Sequence, residues 1–114
     1  MNTHGNQIIR ASLTLTGALA FCFALTATAS PDAGAALYKT KCAACHGADG
    51  KGATAVGKAD SIRDLGSADV QGQSDAVLNT IITSGKGKMP AYGKSLKPEQ
   101  VTALVAYIRS LASK

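Results

Sequence analysis

Cys42-Ala43-Ala44-Cys45-His46 is the stretch on which the reading of the whole chain turns. On a helix, two Cys three positions apart stand about one turn apart, about 4.5 Å along the axis, and the residue after the second points about 100° away round that axis. Two chemistries that use such clusters fit poorly. A thioredoxin-like dithiol needs a βαβ context, and no run of this chain alternates with the period of a strand, although the Cα spacing would accommodate a disulfide. A structural zinc site needs four ligands, and beyond the N-terminal segment only Cys42, Cys45 and His46 are good candidates.

The third chemistry is covalent haem attachment, for which Cys-x-x-Cys-His is the attachment sequence. Two thiols on one helical face suit two thioether bonds to the vinyl edge of a haem, and the adjacent imidazole is then turned under the ring toward iron. Cys42, Cys45 and His46 are therefore the first three site candidates, with one haem c as cofactor.

Working outward, the chain has 114 residues, 46% hydrophobic, with 12 Lys/Arg, 7 Asp/Glu, two Phe, three Tyr and no Trp, which allows one domain at most. Residues 1–29 read as an export signal. Arg10 is the lone charge, Ala11 to Leu25 is apolar, and Ala27-Thr28-Ala29 offers small residues for cleavage after Ala29. An uncleaved anchor spanning Ala11 to Ala29 is the competing reading, weakened by four Thr and Gly17 within that stretch. Lipidation at Cys22 is a second, for which Phe21 is the wrong preceding residue. The expected product, residues 30–114, is a periplasmic domain with 11 Lys/Arg against 7 Asp/Glu. Chains of this size bury only about 60% of their unfolded surface and often lean on a metal, disulfide or cofactor. With only Tyr38, Tyr92 and Tyr107 as aromatics in it, something other than side chains is expected at its centre.

Ser30-Pro31-Asp32 has the cap, first-position Pro and first-turn acid of a helix start, and the helix is predicted to run to about Cys45. Gly34, Tyr38 and Cys42 share one face of it. A mid-helix Gly costs about 1 kcal/mol against Ala, so Gly34 hints at a close neighbour. Between Gly47 and Gly72 no apolar period is visible; a loop is predicted, with one short helix near Asp60 to Leu65. Ser74-Asp75 caps a second clear helix carrying Val77, Leu78, Ile81 and Ile82, which Gly85 stops. Pro98 opens the last helix, whose stripe is Val101, Leu104, Val105, Ile108 and Leu111. Lys97 falls at its cap, where it is a poor residue. The fold class is all-α.

With residues 1–29 removed, His46 is the only His and Met89 the only Met, so bis-histidine ligation within one chain is excluded. Met89 lies in a Lys/Gly loop, not on an apolar stripe where Met would be core filler. A loop can carry its sulfur to the far face of a haem, where thioether ligation raises the reduction potential. Lys86 and Lys88 remain as alternative ligands.

The chain resembles the class I c-type cytochromes, small monohaem electron carriers. The resemblance rests on Cys42-Ala43-Ala44-Cys45-His46-Gly47 followed by Asp49-Gly50-Lys51-Gly52, on Met89-Pro90 after a Gly/Lys loop, and on Leu104-Val105-Ala106-Tyr107-Ile108. It covers essentially all of Ser30 to Leu111. It implies three to four helices wrapped round one covalent haem, with His46 and Met89 as axial ligands. It also implies that Gly34 and Tyr38 pack across the last helix near Leu104 and Tyr107. The chain departs from the family at one point: many members have a Pro after the haem motif whose carbonyl receives the ring N–H of the ligating His, and here only Pro31, Pro90 and Pro98 occur. Some other acceptor is expected to orient His46. Arg63 is a candidate partner for the haem propionates.

A six-coordinate iron has no open site, which disfavours oxygen or peroxide chemistry and leaves one-electron transfer between redox proteins. No Ser/His/Asp set, carboxylate pair, phosphate loop or basic groove competes, so no enzyme activity is expected. Lys86, Lys88, Lys94 and Lys97, close together round the Met loop, would steer acidic partners. Two other readings stay open: a haem subunit of a larger dehydrogenase or oxidase, and a peroxide- or gas-reactive protein if Met89 dissociates.

Overall fold

A computed structural model describes residues 30–113, and the predicted signal segment lies outside them. The chain runs through α1 (Pro31–Lys41), α2 (Ala43–His46), α3 (Ala55–Ala59), α4 (Ala68–Gln71), α5 (Asp75–Ser84) and α6 (Pro98–Ser110), ending in a 3-10 turn at Leu111–Ser113. Among the described residues there is no strand, only one isolated bridge between Lys86 and Met89, and no helix is long and apolar enough to cross a membrane. The all-α class holds, with three long helices and three short ones where three to four were expected.

The helix starts follow their caps. Ser30 accepts from the Asp32 N–H ahead of Pro31, and Ser74 accepts from the Val77 N–H ahead of α5, which Gly85 ends at φ 75°. At α6 the Lys97 side chain caps nothing, but Gln100 reaches back and its Oε1 accepts from the Lys97 N–H at 2.9 Å.

α1 crosses α6 at Gly34. A Cβ there would collide with the Ala103 carbonyl oxygen and come within 2.9 Å of Tyr107 Cβ, so the helices meet backbone to backbone. One turn on, the Tyr38 and Tyr107 rings stand 4.8 Å apart, tilted by 47°, a pairing worth about 0.5–1.5 kcal/mol beyond its area. Tyr38, Leu78, Ile82, Val101, Leu104, Val105 and Ile108 form the core. Val77, on the apolar side of α5 by sequence, is 45% exposed. Arg109 ties the α4–α5 corner to α6: its guanidinium donates to the Gln71 and Gln73 carbonyls and to the Asp75 carboxylate.

Two expectations are corrected. The first helix does not run unbroken to Cys45; it bends at Cys42, where φ is −118° and the Cys42 carbonyl accepts from both the Cys45 and His46 N–H groups. No helix forms over Asp60 to Leu65 either. There Ser61 takes a left-handed φ of 52°, and the Ile62 and Leu65 N–H groups donate backward to Gly57 and Gly50, so the donors a helix would need are committed elsewhere. The short helices lie on either side, α3 behind the cap Thr54 and α4 behind Ser67.

Candidate haem site

The carbonyls around Cys45-His46-Gly47 are each held from a different part of the chain. Thr54 Oγ1 donates to Cys45 O at 2.7 Å while accepting from the Gly57 N–H at 2.8 Å. The Gly52 N–H donates to His46 O at 2.7 Å, and the Tyr38 hydroxyl donates to Gly47 O at 2.7 Å. At the α3 crossing, a Cβ on Gly57 would fall 2.8 Å from Cys45 O and strike Gly52 O. The tight Gly-rich loop thus serves as a backbone cradle behind His46.

In front of that cradle lies a cleft of about 580 Å³ lined by Cys42, Cys45 and His46, by Met89 and Tyr92, and by an apolar floor that includes Leu78, Ile82, Leu104 and Ile108. Its size is that of a cofactor site. All four sequence-predicted residues face it, and so do Arg63, Lys86 and Lys88. Met89 comes from the loop between Gly85 and Gly93, held by paired backbone bonds with Lys86, Met89 N–H to Lys86 O at 3.0 Å and Lys86 N–H to Met89 O at 3.2 Å.

The donor set suits a haem. Burial holds the His46 imidazole below the usual histidine range, so the ring is neutral and free to ligate a metal near pH 7. Its Nδ1 is buried with no hydrogen-bond partner among the described residues. The acceptor expected in place of the missing Pro carbonyl is therefore not found among the described residues; the cradle fixes the backbone of His46, through its carbonyl, and not its ring. Cys42 and Cys45 are free. Burial, followed by the charge on Cys45, pushes the Cys42 thiol up to about 11, the opposite of the lowered value that marks a redox dithiol. Among the described residues no three His, Cys, Asp or Glu side chains converge closely enough to hold a metal ion by themselves, so the geometry matches an organic ring better than a bare cation.

The roles of Tyr92 and Thr54, the bond of the Tyr38 hydroxyl to Gly47 O and the Lys88–Asp60 ion pair were missed by sequence reasoning. Thr54 had a signal, as a cap residue three positions before Gly57. The others are long-range pairings that no local pattern encodes.

Comparison with known proteins points to the same class of protein as the fold. Residues 29–108 match the family described as cytochrome C oxidase, cbb3-type, subunit III. The chain is 42% identical over 72 residues to a cbb3-type cytochrome c oxidase subunit CcoP of Rubrivivax gelatinosus, covering 62% of this chain and 23% of that protein. It is 35% identical over 100 residues to cytochrome c6 of a Nostoc species, covering 85% and 87% respectively. The solved KustC0563 c-type cytochrome superposes with a TM-score of 0.64 at 34% identity, covering 68% of this chain and 95% of that one. The fold and cleft define a small class I c-type cytochrome with covalent haem c. The chain belongs to the cbb3-type subunit III family of cytochrome c domains. It spans about a quarter of the length of the cbb3 subunits it matches.

Proposed function

We propose that the chain is exported, loses residues 1–29, and works in the periplasm as a one-electron carrier between redox proteins. Cys42 and Cys45 would hold the haem through thioethers, and His46 and Met89 would ligate its iron. The group supplies the Fe(II)/Fe(III) couple; the chain supplies its position, a low-polarity surround and a neutral imidazole. The observation that carries the reading is that two distant segments deliver Cys42, Cys45 and His46, on one side, and Met89, on the other, into a single apolar cleft. With both axial positions taken by the protein, ligand-binding catalysis is disfavoured, and no enzymatic role is assigned.

The test is Met89→Ala in the haem-loaded protein. The far-red absorbance band of Met-ligated ferric haem disappears and the reduction potential falls. An unchanged spectrum and potential would show that another group, with Lys86 and Lys88 as first candidates, is the sixth ligand.

A second reading has its own support in the match to oxidase subunits: a haem domain held permanently in a larger complex. Co-purification with a larger redox partner at high salt favours it over a diffusible carrier. Carbon monoxide binding by the reduced protein at neutral pH would instead favour a gas-reactive site.

A further inference from the structure

The loop that carries Met89 is anchored mainly to the helix it leaves. Besides the paired bonds between Lys86 and Met89, the Tyr92 N–H donates to Ile82 O at 3.0 Å and the Gly93 N–H to Thr83 O at 2.9 Å. These bonds set the loop's internal shape and fasten it to α5. They do not fix its distance from the wall that bears Cys42 and His46, and that distance decides whether a sulfur reaches a metal held by the other wall.

Two side chains of the loop span the gap. Lys88 pairs with Asp60, but its side chain is 78% exposed, and such pairs contribute little in water. Tyr92 is different. It is half-buried and packed against the core, it lines the cleft, and its hydroxyl donates to Lys41 O at 3.0 Å, across 51 positions of sequence. Lys41 is the last residue of α1, where helical carbonyls lack partners of their own, and it immediately precedes Cys42. We propose that Tyr92 is a positioning residue for Met89: its hydroxyl braces the sulfur-bearing loop against the end of the helix that delivers Cys42.

The inference rests on Met89 being the sixth ligand. An added ligand that displaces the sulfur must let the loop swing away from the Cys42 wall, which breaks the Tyr92–Lys41 bond. Without that bond, displacement becomes easier by the worth of one hydrogen bond, about five-fold.

The experiment is imidazole titration of the ferric, haem-loaded protein as wild type, Tyr92→Phe, Met89→Ala and Arg109→Lys. Arg109→Lys disturbs the α4–α5 corner, away from the loop, and serves as the control for general loss of stability, measured by denaturant unfolding. Tyr92→Phe is expected to keep the far-red band and to bind imidazole about five-fold tighter than wild type, with Arg109→Lys unchanged. A Tyr92→Phe affinity equal to wild type overturns the brace, as does an equal tightening in Arg109→Lys. If the wild type shows no far-red band for Met89→Ala to remove, the ligand assignment itself is wrong. A band lost in Met89→Ala beside an unchanged Tyr92→Phe affinity sinks only the role of Tyr92.

Discussion

Gly34 shows how much a single missing methyl decides. Its place in the middle of α1 costs helix propensity, and Ala would recover up to about 1 kcal/mol in an isolated helix. In the folded chain the added Cβ runs into the Ala103 carbonyl and crowds Tyr107. Both are backbone or near-backbone atoms that a rotamer change cannot move. The steric effect wins. Gly34→Ala is expected to lower stability by about 2 kcal/mol, read as a lower midpoint in denaturant unfolding of the haem-loaded protein, and a neutral or stabilising result would show that the crossing yields. The residue was legible as a costly Gly wanting a close neighbour. Its neighbour was named through the family resemblance. His46 was legible from its motif alone, whereas its buried Nδ1 without a partner was not, because the missing Pro carbonyl pointed to a substitute acceptor and packing supplied none.

At the scale of elements, helices with caps and apolar stripes were readable and the others were not. Pro31, Pro98, Ser30 and Ser74 mark starts that the structure keeps, and Gly85 marks a stop. Between Gly47 and Gly72 the chain is arranged by what it touches: Leu65 donates to Gly50 and Thr54 to Cys45. Periodicity has nothing to report there; the signals are the residues at the helix starts, Thr54, whose hydroxyl accepts from the Gly57 N–H, and Ser67, which precedes α4 without a side-chain cap. The start of α6 offers a test. Gln100 already accepts from the Lys97 N–H, which is half of a reciprocal capping pair, and the lysine supplies no acceptor for the other half. Lys97→Ser completes it and is expected to raise stability by about 1 kcal/mol. A thermal midpoint that stays put would mean that this end of α6 is already satisfied by solvent.

For the molecule as a whole, the charge round the cleft differs from its sequence outline. Of Lys86, Lys88, Lys94 and Lys97, Lys88 is partly neutralised by Asp60, and the other three form no ion pair among the described residues. Lys86 lines the cleft beside Lys88, and like charges there would attract an acidic partner over a Debye length of about 8 Å at physiological salt. The bimolecular rate with such a partner should fall as ionic strength rises, and Lys86→Ser, which removes one positive charge from the cleft lining, should flatten that dependence. Stopped-flow rates across a salt series check this, and a rate independent of salt removes the steering patch. The backbone contact of α1 with α6 has a consequence in time as well. The attachment motif sits at the end of the first helix, yet the surface that closes over that helix is made some sixty residues later. A chain emerging end-on from a ribosome or a membrane channel therefore cannot seal this core until α6 is out, and until then Cys42 and Cys45 would stay within reach of any machinery that attaches a haem to them.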